Sequence, residues 1–172
     1  MGNYNFAKTK IFAMLIIILA ALIFSSCGAD EKPLAINLTE LAEFIGEKID
    51  LSDYIERSEQ FKNESGIKSD ETTDMTVLKK IDETNVSNAE ILVLIEAADE
   101  EAAKEIENKL KIYKTNKLNE LSNYSINPDN ESQYYLLDET EIRIRQKYIF
   151  FATYSHNLHV YDIIEEYINN IK

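Results

Sequence analysis

Cys27 is the only cysteine in the 172-residue chain, and it directly follows Ser25 and Ser26. A thiolate is a strong nucleophile. At the boundary of an export signal it can accept a diacylglyceryl group and, after cleavage, become an acylated N-terminus. Two acyl chains such as palmitate anchor a protein stably where one chain holds it only marginally. A lone cysteine excludes an intramolecular disulfide and a zinc site built on several thiolates.

Other residues of chemical interest are fewer. His156 and His159 stand three apart, and with Asp162 they could offer a metal two nitrogens and a carboxylate. Solvated side chains are usual in a helix's first turn, and that is the reading adopted for both. Glu100, Glu101, Glu105 and Glu107 could serve acid/base or calcium chemistry. Their spacing supplies no loop of alternating oxygen ligands, so a solvated helix face is expected. Tyr134, Tyr135, Tyr148, Tyr154, Tyr161 and Tyr167 could line a sugar- or peptide-binding surface, since tyrosine joins an apolar ring to a polar tip. Most lie on apolar stripes, where core packing is the expectation. The chain has only four glycines, and no phosphate-cradling loop, nucleophile elbow or paired-histidine metalloprotease motif is present. No catalytic residue, metal or cofactor is expected.

The surroundings of Cys27 give it meaning. Lys8 and Lys10 precede an apolar run of 14 residues, Ile11 to Phe24, which ends in Ser25-Ser26-Cys27-Gly28. This is the basic, apolar and small-residue order of an export signal. The run is shorter than the ~20 residues a helix needs to span the hydrocarbon core. Phe24-Ser25-Ser26-Cys27 resembles the bacterial lipobox in its last three positions. The expectation is a lipoprotein signal peptide over 1–26, a tether over 27–36 and a single α+β domain over 37–172.

The full chain carries 18 Lys and Arg against 31 Asp and Glu; without Lys8 and Lys10 the formal charge is −15. So acidic a domain repels phosphate backbones and lacks the counterion-release drive of nucleic-acid binding. Nucleic acid is not an expected partner.

The spacing of apolar residues predicts the elements. Asn37-Leu-Thr-Glu40 is a helix cap with an acid three residues on, and Leu41, Phe44, Ile45 and Ile49 follow at helical spacing, continuing to Leu51, Tyr54 and Ile55 after a break. Glu56 to Asp74 is polar, contains Gly66 and reads as a loop. Met75 to Ile81 and Glu90 to Glu96 read as strands; the unbroken run Ile91-Leu-Val-Leu-Ile95 fits a central strand covered on both faces. Asp99 caps a long helix with acids first and Lys109, Lys111, Lys114 and Lys117 late, matching the helix dipole. Tyr134 to Leu137 is too short to type. Glu141 to Arg145 and Tyr148 to Tyr154 suggest a hairpin, and Val160, Ile164, Tyr167, Ile168 and Ile171 form the stripe of a last helix. The fold expected is a small antiparallel or mixed sheet of about four strands, with the long helix and the C-terminal helix packed on one face and an N-terminal helical segment before it.

Asn88-Ala-Glu-Ile-Leu-Val-Leu-Ile-Glu96, the acidic-then-basic helix ending near Tyr124, and Tyr148-Ile-Phe-Phe-Ala-Thr-Tyr154 before a last helix together resemble the domain-of-unknown-function family numbered 4358. That family is found in lipoproteins of low-GC Gram-positive bacteria. The resemblance runs from about Leu38 to Ile168. It implies an extracytoplasmic lipoprotein with a compact α+β domain and brings no catalytic residues. Members commonly carry a glycine-bearing turn before the final strand, where this chain has Arg145-Gln146-Lys147.

The functional expectation is a membrane-anchored binding or accessory domain at the cell envelope, with a protein or peptide ligand. The alternatives are a small extracytoplasmic enzyme using carboxylates and a structural spacer.

Overall fold

The computed structural model describes residues 33–81, 88–123, 128–155 and 157–171, with side chains omitted at 128–130 and 157–158. Cys27 and His156 lie outside the described residues. In chain order the elements are helix α1 (Leu38–Gly46), strand β1 (Tyr54–Glu56), helix α2 (Ser58–Ser65), strands β2 (Thr72–Lys80) and β3 (Ile91–Ala97), helices α3 (Glu100–Asn123) and α4 (Pro128–Asp138), strands β4 (Ile142–Arg145) and β5 (Tyr148–Thr153), and helix α5 (Asn157–Ile171). The strands form one sheet in the order β1-β2-β3-β5-β4, and every neighbouring pair is antiparallel. The apolar run Ile91 to Ile95 is thus the middle strand, as its pattern predicts.

That strand is buried on both sides, and so is β5. Successive strand side chains alternate between faces. Leu92, Leu94, Phe150 and Ala152 therefore pack under α1 and α5, while Val93, Ile95, Ile149 and Phe151 pack under α2 and α3. The helices cover both faces of the sheet, correcting the one-sided expectation. A second correction concerns 56–74, read as a loop. Ser58 to Ser65 is helical because Phe61 and Ile67 are buried against Tyr113 and Val77. The Ser58 hydroxyl also accepts from Val77 N–H at 3.0 Å, fastening the helix to β2. Gly66, in the left-handed region with φ 70°, is the C-cap of that helix rather than a loop residue.

Tyr54 and Ile55 do not prolong α1. Ser52 N–H donates to Asp50 Oδ1 at 2.9 Å in a turn, and the chain then pairs along β2 as a fifth strand. The segment around Tyr134 to Leu137 is the latter half of α4, whose C-terminal region receives Lys114 Nζ on the Asp138 and Thr140 carbonyls at 2.7 and 2.8 Å. Both expected caps are present: Asn37 Oδ1 accepts from Thr39 and Glu40 N–H, and Asp99 Oδ1 from Glu101 and Ala102 N–H. On α5 the stripe is buried from Val160 to Ile168, but Ile171 is 42% exposed.

The β4–β5 hairpin turns through Gln146 and Lys147, with Gln146 at φ 54°. A left-handed conformation costs a residue with a Cβ about 1 kcal/mol, a cost that glycine would avoid. Here the side chain has another task. Gln146 Oε1 accepts from Leu34 N–H at 2.8 Å, and the Tyr148 hydroxyl accepts from Ile36 N–H at 3.1 Å, so the segment before α1 is fastened to the hairpin. We expect Gln146→Gly to leave global stability within about 1 kcal/mol, because relieved strain offsets a lost hydrogen bond worth about 1 kcal/mol. Hydrogen exchange at Leu34 should nonetheless accelerate at least tenfold; unchanged exchange there would show that the bond does not hold the segment.

Candidate functional site

Strand register gathers four polar side chains at one end of the sheet. Tyr54 lies opposite Lys80. Lys79 lies opposite Ile91, and Ile91 opposite Thr153, so the next positions bring Lys80 beside Glu90 and Glu90 beside Tyr154. Lys80 N–H donates to the Glu90 carbonyl at 3.1 Å, confirming this step. Directly opposed residues project to the same face. Tyr54, Lys80, Glu90 and Tyr154 therefore form one row on the face that α1 and α5 cover.

Glu90 is the only buried charged residue among the described residues. Its side chain is 8% exposed and that of Lys80 is 32% exposed. Lys80 Nζ lies 3.1 Å from Glu90 Oε1, and the Tyr54 hydroxyl donates to Oε2 at 2.8 Å. Both carboxylate oxygens are thus engaged, as a buried charge requires. Burial pushes the Tyr54 hydroxyl above its ordinary value, and its bond to Glu90 pushes it further. It stays a proton donor to Glu90 across the physiological range. The backbone beside Glu90 is also fixed: Glu90 N–H donates to Asn88 Oδ1 and Ala89 N–H to Gln133 Oε1, each at 2.8 Å, so α4 holds the start of β3.

Next to this row Ile49, Leu51, Tyr54, Leu92, Tyr154 and Val160 line a shallow cleft with an internal volume of about 10 Å³, room for about one water. The Tyr54 and Tyr154 rings stand 6.4 Å apart and tilted by 41°. Pockets for whole small-molecule ligands commonly run ~300–1,000 Å³. This cleft is far smaller than that, lined mostly by apolar atoms, with the Lys80 and Glu90 pair behind it.

The residues singled out from sequence fall elsewhere, with one exception. Tyr154 is half-buried at the cleft, whereas Tyr148, Tyr161 and Tyr167 are buried in the core. The Tyr161 hydroxyl donates to the Glu141 carbonyl and accepts from Ala152 N–H; burial pushes it up to about 12. Tyr134 packs edge-on to Tyr135, which is 56% exposed. Glu100, Glu101 and Glu105 are exposed on α3, and Glu107 pairs with Lys111 at 2.7 Å. His159 is exposed, as is Asp162. Among the described residues no three or more side chains are grouped to hold a metal ion, and no helix is long and apolar enough to cross a membrane.

No motif in the sequence marks Glu90 as a site residue. The signal was available: an acid at the start of a strand predicted to be central must meet its neighbours' side chains, and Lys79-Lys80 ends the preceding strand.

Residues 47–154 match the family described as Domain of unknown function (DUF4358). No curated protein and no solved structure matches the chain.

Proposed function

The chain belongs to the DUF4358 family, whose description carries no activity, and we propose from its own residues that it is an exported lipoprotein held by lipid on Cys27 to the outer face of the cell membrane. Its domain acts there as a binding or accessory module for an envelope protein or peptide, not as an enzyme. The observation that carries the reading is the order Lys8 and Lys10, the apolar run 11–24, and Ser25-Ser26-Cys27. The half-buried rings of Tyr54 and Tyr154 beside the shallow cleft support the binding role, as aromatic surface that a larger partner can cover. The formal charge of −15 after the leader argues against nucleic acid.

The test is acyl labelling of the full chain in a bacterial host, beside Cys27→Ala. Wild type should take up radioactive palmitate, shorten on maturation and fractionate with membranes. Cys27→Ala should remain unlabelled and at precursor length; label retained in that variant would overturn the assignment. A partner recovered from solubilised membranes with wild type and lost with Tyr154→Arg would place binding at the cleft, whereas equal recovery with both would exclude the cleft.

A further inference from the structure

Strand β4 is an edge of the sheet and pairs only with β5. The direction of its backbone groups follows from one bond. Ala97 N–H donates to the Lys147 carbonyl at 2.9 Å, so Lys147 turns its backbone toward β3, and by alternation Ile149 and Phe151 do the same. Tyr148 and Phe150 therefore turn theirs toward Arg145 and Arg143, their partners on β4. Ile142 and Ile144 are left with N–H and C=O groups directed outward. The Tyr161 hydroxyl fits this phase, since it bridges Ala152 N–H and the Glu141 carbonyl between the two strands. Among the described residues the outward groups have no backbone partner, and the Ile144 carbonyl takes only a 3.3 Å bond from the exposed Arg145 guanidinium. The opposite edge is blunted, because the outward N–H of Tyr54 on β1 already donates to the Leu51 carbonyl at 3.0 Å.

An unpaired strand edge is a template for another strand, and the side chains select which. Ile142 and Ile144 are half-buried on the face toward α3, while Glu141, Arg143 and Arg145 line the face toward α5. Charge on an edge usually guards it against pairing. Here both guards are neutralised within their own chain. Arg143 lies 3.0 Å from Glu141 and stacks 4.2 Å from the Tyr161 ring centre, and Arg145 lies 2.5 Å from Glu165.

We infer that two copies of this chain pair through β4, antiparallel about a two-fold axis at Arg143, joining their five-stranded sheets into one. This register sets Ile142 opposite Ile144 of the second copy and the reverse, each pair exchanging both N–H···O bonds and packing isoleucine on isoleucine on the α3 side. On the α5 side it sets Glu141 opposite Arg145 of the second copy, and symmetry repeats the contact. Centring on Ile144 instead would oppose Arg143 to Arg145, like charge on like. Centring on Ile142 would draw in Thr140, which is 3% exposed and held in its own chain. The Arg143 pair on the axis is the one like-charged contact, and each member keeps its own Glu141. The net charge of the two domains is screened beyond about 8 Å at physiological ionic strength, so the local row decides. A foreign acidic peptide is disfavoured because both arginines already hold acids of their own chain; a second copy brings its cations with it.

The experiment is oxidative cross-linking of the detergent-solubilised full chain in a Cys27→Ser background, where an introduced cysteine is the sole thiol. Opposed residues of a non-hydrogen-bonded pair lie about 4.5 Å apart at Cα, within disulfide reach. R143C should form a disulfide-linked dimer, whereas I144C, which faces residue 142 of the second copy, should not. Sedimentation with Arg143 in place keeps the native charges. The parent chain should self-associate, R145E should weaken the association about tenfold by opposing Glu141, and E141R/R145E should recover most of that loss. Melting temperatures should stay close to the parent's, since Glu141 and Arg145 are exposed. A parent chain that is monomeric at every concentration, absence of linking through R143C, equal linking through I144C, or equal impairment of R145E and E141R/R145E would each overturn the assignment. The edge is separate from the Tyr54 and Tyr154 surface and from the lipid on Cys27, so each reading can fail alone.

Discussion

Phe150→Ala and Phe151→Ala should each destabilise the domain by about 3–5 kcal/mol, the usual cost of removing a fully buried phenyl ring. The two residues are adjacent on β5 and at most 1% exposed. They point in opposite directions, Phe150 into the layer under α1 and α5 and Phe151 into the layer under α2 and α3. For a domain of this size the loss corresponds to a fall in melting temperature of about 10–15 °C. Urea unfolding of each variant, followed by circular dichroism, would measure it. A sheet with one open face would give a different pair of results: one variant costly, the other within about 0.5 kcal/mol of wild type. That asymmetry would contradict the three-layer arrangement.

Lys80→Met should cost about 2–3 kcal/mol, and Glu90→Gln about 1–2 kcal/mol. Methionine keeps much of the lysine's apolar stem, so the loss reports the charge. Removing the ammonium leaves a carboxylate that is 8% exposed and still bonded to the Tyr54 hydroxyl, with its charge uncompensated. Breaking a buried pair typically costs ~3–5 kcal/mol; the figure is reduced here because the Lys80 side chain is 32% exposed. Glutamine at 90 can still accept from Tyr54. The double variant should therefore be less impaired than the sum of the two, with a coupling of about 1–2 kcal/mol in a double-mutant cycle. Strict additivity would mean that Lys80 and Glu90 do not act as a unit, and the row would lose its standing as the rigid back of the cleft.

What could be read from sequence was what local pattern determines. The run Ile91 to Ile95 announced a middle strand because alternation is suppressed when both faces are covered. The acids and lysines of α3 announced a helix with its direction, and Asn37 and Asp99 announced the first turns of α1 and α3. The same logic applies at β5, where Phe150 and Phe151 in succession imply two covered faces. Helix α2 was illegible for a physical reason: it has one buried apolar side chain of its own, Phe61. Its stability comes from tertiary partners, Tyr113 across from it and Val77 N–H bonded to the Ser58 hydroxyl. Helix α4 is held in the same way, by Lys114 at its C-terminal end and by Gln133 bonded to the start of β3.

The candidate site was less legible than the fold. Tyr54, Lys80, Glu90 and Tyr154 are separated by up to 100 residues, and only the register of β1, β2, β3 and β5 makes them one row. A shift of a single residue in any pairing would turn a member to the other face. Of the acids grouped on one helix, Glu100, Glu101 and Glu105 are solvated and Glu107 pairs with Lys111; the buried acid beside the cleft stands alone at a strand's start. Tyr154 was among the tyrosines weighed for binding, and the geometry separates it from those that serve the core.

Mass spectrometry of the N-terminal peptide of the protein purified from membranes decides whether the domain is carried on a lipidated cysteine. A lipoprotein should give a peptide beginning at Cys27, with a diacylglyceryl group on the Cys27 sulfur and Gly28 next in sequence. A peptide beginning upstream of Cys27, or one carrying an unmodified thiol, would contradict it.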